Sequence, residues 1–96
     1  MLTPQDILLI NQLIDMMDRL FMELNNLGEN TDSGYTYLNK VQNILKSRDP
    51  KGLKNIKNHL MMDFRMITDY QLDGCELDDA INAVYHHVNS HAIFKK

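Results

Sequence analysis

Ninety-six residues, 44% hydrophobic and 24% charged, supply one thin-cored domain and leave no room for a second. Ten Lys and Arg against thirteen Asp and Glu give a net charge of −3, which lacks the basic stripe of a nucleic-acid binder and favours a basic partner. One cysteine excludes an internal disulfide framework and a thiolate zinc cluster.

The chain opens Met1-Leu2-Thr3-Pro4 with no positive segment ahead of an apolar run. Its longest apolar stretch, Ile7 to Ile10, is far short of the roughly 20 residues that span a membrane. A reduced, cytoplasmic chain without membrane contact is the expectation.

A first helix is predicted over 4–27. Thr3 is its N-cap, Pro4 takes the first helical position, and Asp6 can return a carboxylate to the backbone N–H groups of the start. Gly28 ends it, because only glycine enters the left-handed conformation at that point without steric cost. A polar linker, Glu29 to Gly34, leads to a second helix over 35–47 with Tyr35, Leu38, Val41, Ile44 and Leu45 on one side. Asp49 and Pro50 stop that helix and start a third, over 50–68. Leu53, Ile56, Leu60, Phe64 and Ile67 recur in it at steps of three and four. After a connection from Asp69 to Gly74, a fourth helix is predicted over 74–91, with Leu77, Ala80, Ile81, Val84, Tyr85 and Val88 facing inward. No segment alternates like a strand, and no glycine-rich phosphate loop occurs. The fold class is all-α, a compact four-helix bundle-like single domain over 1–96 with sequential helices antiparallel.

The faces of these helices carry the functional reading. Helix 1 has an apolar arc from Ile7 to Leu27 covering about half its circumference, wider than one neighbour requires. It packs against two helices, or alternatively its edge of Leu9, Met16 and Leu20 faces a partner chain. The core stripe of helix 3 leaves Met62 and Met66 almost opposite, beside His59. That pair marks a second buried side or an adaptable surface of the kind that fits another protein. Asp69, Asp73, Glu76, Asp78 and Asp79 gather at the start of helix 4, more carboxylates than the helix dipole calls for, and form a candidate docking surface for a basic partner.

Catalytic chemistry finds less support. His87 and His91 share a face at i, i+4, but neither a nearby carboxylate nor an H-E-x-x-H pattern completes a metal shell. Packing along the apolar face suits them better. Cys75 sits near a helix start without an evident general base, and Asp78 and Asp79 lie about 100° apart on the helix. Neither forms a catalytic constellation, so no catalytic residue, cofactor or metal is expected.

Helix 4 carries Glu76-Leu77, Ala80-Ile81 and Val84-Tyr85 at helical spacing, preceded by a helix and the acidic connection Asp69 to Asp73. Tyr35, Leu38, Val41-Gln42, Ile44 and Leu45 precede them. In these features residues 35–88 resemble the small all-helical immunity proteins that accompany type VI secretion toxins, especially those guarding against NAD(P)-hydrolysing toxin domains. The chain departs from that pattern at Gly74-Cys75, where the group has a proline-containing helix start, and at His86-His87. The resemblance implies a protein with no activity of its own, which binds a cognate toxin domain in the cytosol and covers its substrate cleft. Asp69, Asp73, Glu76, Asp78 and Asp79 are then expected to steer docking, and Met62, Met66 and Tyr85 to supply anchoring contacts. The alternatives are a helical adaptor that self-associates, as a homodimer, through the wide face of helix 1, and an enzyme built on Cys75 with His86, His87 and His91.

Overall fold

The computed structural model of the chain describes residues 2–29, 34–69 and 75–94. Five helices and a terminal 3-10 turn make up these residues, with no strand among them. The fold is all-α.

Helix α1 spans Pro4–Asn26. Its start is a reciprocal cap: the Asp6 N–H donates to Thr3 Oγ1 at 3.1 Å, and the Thr3 N–H donates to Asp6 Oδ2 at 3.0 Å. Its end is a Schellman turn around Gly28, whose φ is 87°. There the Gly28 N–H donates to Asn25 O at 3.0 Å and the Glu29 N–H to Leu24 O at 3.1 Å, so two carbonyls of the last turn are satisfied. Helix α2 spans Thr36–Ser47 and ends at Arg48, held at φ 55° in a left-handed conformation that a residue with a Cβ adopts at a cost of about 1–2 kcal/mol.

The single helix expected over 50–68 is two. Asp49 caps a one-turn helix α3, Pro50–Leu53, through a 3.0 Å bond from the Lys51 N–H. The chain then turns at Lys54 and Asn55 before α4, Ile56–Asp69. The cause is a close approach at Gly52, where an added Cβ would stand 2.8 Å from Ile44 Cγ2 of α2. With that turn pressed onto α2, the chain must redirect. The Asn55 N–H closes back on Gly52 O at 2.9 Å, and Asn55 O accepts the first bond of α4 from the His59 N–H at 3.3 Å. Leu53 and Ile56 are both buried, so the apolar rhythm runs across the break and conceals it in the sequence.

Helix α5 spans Cys75–Ser90 and is followed by the 3-10 turn Ala92–Phe94. Phe94 is fully buried, a core residue beyond the expected end of the last helix. Its burial contributes roughly 1.5–3 kcal/mol.

α1 packs between α5 and α2, and α4 lies along α2. Among the described residues, α4 and α5 meet through a narrow seam. His87 near the end of α5 reaches Leu9 near the start of α1, while Glu76 and Leu77 lie beside the end of α1, so these two helices are antiparallel. Tyr35 and Gln42 of α2 bond to Glu29 and Asp18 respectively, which makes α1 and α2 antiparallel too. The expected stripes meet in one core. Leu9 and Leu20 are buried and Met16 packs on the same cluster, so the edge that might have faced a partner is covered by α1's own neighbours. Buried Gln42 donates to Asp18 Oδ1 at 2.6 Å, tying α2 to α1, while its Oε1 has no partner.

Candidate protein-binding surface

One buried carboxylate orients α4. Asp63 is 4% exposed and accepts the Leu38 N–H at Oδ2, at 2.8 Å, together with the Tyr37 N–H. These are the second and third residues of α2, whose own cap position, Tyr35, makes no side-chain bond to the helix start. Asp63 is therefore an N-cap supplied from another helix, satisfying donors that α2 leaves open at its positive end. Burial pushes the Asp63 carboxyl above its ordinary range, and the two backbone donors pull partly against that.

With Asp63 fixed inward, the helical turn of about 100° per residue carries Asn58, Met61, Met62 and Arg65 outward. Met61 is 45% exposed and Met62 52%, and Arg65 is exposed between them. Two hollows flank Met61 and Arg65, which line both. Toward α2, the first includes Tyr37, His59 and Met62. The rings of Tyr37 and His59 are stacked at 5.7 Å with 23° between their planes, and Lys40 Nζ stands 5.8 Å from the centre of the Tyr37 ring. Burial, with help from Lys40, holds the His59 imidazole below its usual pKa. Toward α5, the second hollow includes Phe64, Ile81 and Tyr85. Phe64 and Tyr85 meet edge to face at 4.8 Å, which holds the Tyr85 ring at the rim of the seam. Burial raises the Tyr85 hydroxyl pKa and keeps it protonated.

Of the expected anchoring residues, Met62 and Tyr85 fall on this surface, one at each hollow. Met62 is open to solvent, so the second buried side considered for this helix is not formed there. The side chains of Met66 and Asp69 lie outside the described residues, as does the whole of Asp73. The remaining acidic residues diverge. Asp78 and Asp79 are exposed, and Asp78, seven residues before Tyr85, sits on the same edge of α5 about 10 Å further along. Glu76 points about 200° from Asp78, to a hollow with Glu23, Asn26 and Leu27 at the end of α1. These three therefore do not form one acidic face. Met61 and Arg65 are members of the surface that the apolar stripe alone does not single out. The signal for them is their spacing with Asn58, at three, four and seven residues on the polar side of the same helix.

His87 belongs to the interior of the seam between α1 and α5, with His91 half-buried beside it and His86 exposed. His87 is 6% exposed, and its Nε2 lies 2.9 Å from Leu9 O. A carbonyl only accepts, so Nε2 carries the proton. Its ring meets His91 edge-on at 4.7 Å and tilts against Phe94 at 5.6 Å. Burial lowers the His87 pKa; the bond to Leu9 opposes that, and the charges of His91 and His86 add to it. Among the described residues, no group of three or more His, Cys, Asp or Glu gathers where a metal ion could be held. None of the described helices is long and apolar enough to cross a membrane.

Comparison with known proteins gives no match: no family model, no curated protein and no solved structure matches the chain.

Proposed function

We propose that this chain is a binding protein without chemistry of its own, an immunity protein that docks on a cognate secreted antibacterial toxin domain and blocks its active site. The observation that carries the reading is the outward face of α4, where two large flexible methionines stand about half exposed between hollows edged by aromatic rings. Exposed methionines of this kind conform to a partner's surface, and the aromatic rims offer anchors with little entropy to lose. Asp78, on the Tyr85 edge, adds negative charge that speeds encounter with a basic cleft. The resemblance over residues 35–88 suggests the class of partner, a toxin domain acting on NAD(P), met in the cytoplasm.

The test is survival. Cells expressing the toxin domain encoded beside this chain should grow when the chain is co-expressed and die when it carries Met62→Asp with Tyr85→Ala, while the Leu8→Asp variant on the solvent side of α1 still protects. Protection by the Met62→Asp/Tyr85→Ala chain, or a neighbouring frame with no toxic product, would remove the reading.

A further inference from the structure

We propose that Arg65 and the two hollows beside it form a receptor for a partner carboxylate flanked by apolar or aromatic side chains. This rests on the α4 face being a docking surface, and it specifies what docks there. Arg65 is exposed, lines both hollows, and has no carboxylate paired with it among the described residues. Asp63, two positions before it, is turned inward and occupied with the backbone of α2. The charges at the hollows themselves are cationic, Arg65 lining both and Lys40 beside Tyr37, while Asp78 stands about 10 Å from Tyr85 along α5. The charge complement of the two hollows is therefore negative, whatever Asp78 meets further along α5.

Geometry narrows the anion. A guanidinium presents a planar fork that matches a carboxylate with two parallel hydrogen bonds. The sides of the fork are Met61, Met62 and the Phe64–Tyr85 pair, which favour an apolar group next to the carboxylate over a hydrated phosphate. A second copy of this chain is a poor occupant, because a two-fold contact centred here would set Arg65 against its own counterpart. The fitting partner is a protein segment carrying an Asp or Glu between apolar or aromatic neighbours.

Small probes test this without the toxin. With methionine methyl groups labelled for NMR, 3-phenylpropionate should shift the Met61 and Met62 signals saturably while leaving Met22, exposed on α1, and buried Met17 in place. Arg65→Gln should weaken that binding about tenfold, and Arg65→Lys should recover part of it. The unchanged Met17 signal verifies the fold of each variant. Equal shifts with 3-phenylpropylamine or with inorganic phosphate would overturn the proposal. So would undiminished binding by Arg65→Gln, or Met61 and Met62 signals that move with protein concentration alone, which would mean that a second copy covers the face. A chain that neutralises its toxin through Met62 and Tyr85 yet fails this titration loses the carboxylate receptor and keeps the docking face.

Discussion

The inward and outward faces of α4 are built on opposite rules. Inward, Ile56, Leu60, Phe64 and Ile67 fill the core, and the one charged group, Asp63, accepts two backbone N–H groups of α2. Outward, Met61 and Met62 leave large apolar area in water, and Arg65 stands among them with no carboxylate paired to it among the described residues. A side chain that holds the fold has its polar groups satisfied and its apolar surface covered. The outward face meets neither condition, so stability does not explain its residues, and this is the ground on which a partner is proposed. Leu8 and Met22 on α1 are exposed as well, but Asp15 lies midway between them on the same side, and isolated apolar residues of that kind need no partner.

The largest effect should come from the inward face. Asp63→Ala leaves the start of α2 uncapped inside the protein and should cost about 2 kcal/mol, a fall of roughly 10 °C in Tm by thermal denaturation. Asp63→Asn keeps an acceptor and should recover most of that loss. A melting temperature unchanged in Asp63→Ala would mean that α2 does not depend on α4 for its cap. Gly52→Ala tests the contact that splits the third helix. A methyl 2.8 Å from Ile44 Cγ2 should cost about 1 kcal/mol in urea denaturation, whereas a continuous helix there would be stabilised by the same change.

The response to pH separates the two buried titratable groups. His87 is lowered in the folded state, so its contribution is present above the usual histidine value of about 6.5 and is lost as pH falls through the lower, folded value. Stability should therefore decline on acidification below pH 6.5, and His87→Gln, which keeps an N–H for Leu9 O, should flatten that decline. Asp63 is raised, so its contribution has the opposite sense: fully present below the unfolded value of 3.8 and lost as pH rises through the folded value. Denaturation midpoints measured across pH 3–8 for the wild type and the two conservative variants resolve both slopes. An unaltered slope in His87→Gln would assign the acid sensitivity to another group.

The smallest stability effect belongs outside. Replacing Met61 and Met62 together by serine should change unfolding free energy by no more than about 0.5 kcal/mol, because neither side chain is buried. The same double variant should lose protection in the survival test. Large destabilisation would show that these methionines hold the fold after all.

The division between faces also explains what is legible in the sequence. The stripes are, because burial imposes a helical period: Leu53, Ile56, Leu60, Phe64 and Ile67 are predicted inward and are buried. So are the caps at Thr3, Gly28 and Asp49, since each depends on residues within a few positions. What depends on distant residues is not. Asp63 looks like one more polar residue until α2 arrives beside it, 25 positions away in the chain. The break at Lys54 and Asn55 follows from Gly52 meeting Ile44, and burial of Phe94 follows from packing of the last turn, neither of which is a local pattern. At the candidate surface, Met62 is legible as a residue placed off its stripe, whereas Tyr85 reads as one more member of the helix 4 stripe and is named as an anchor only with the resemblance. Arg65 and Met61 are not legible, because their significance lies in two hollows that form only when α2, α4 and α5 come together. The acidic cluster shows the reverse failure. Proximity in sequence makes Glu76, Asp78 and Asp79 look like one surface, and helical rotation separates them.

The most direct test of the docking face is hydrogen–deuterium exchange of the chain with and without the toxin domain encoded beside it. Side-chain burial by a partner also slows exchange of the backbone beneath, so the complex should show added protection in the segments 58–65 and 81–85, with the solvent side of α1 between Leu8 and Met22 unchanged. Protection confined to α1, or absent from α4 in a complex that forms, would contradict the assignment of the outward face of α4 as the surface through which this protein works.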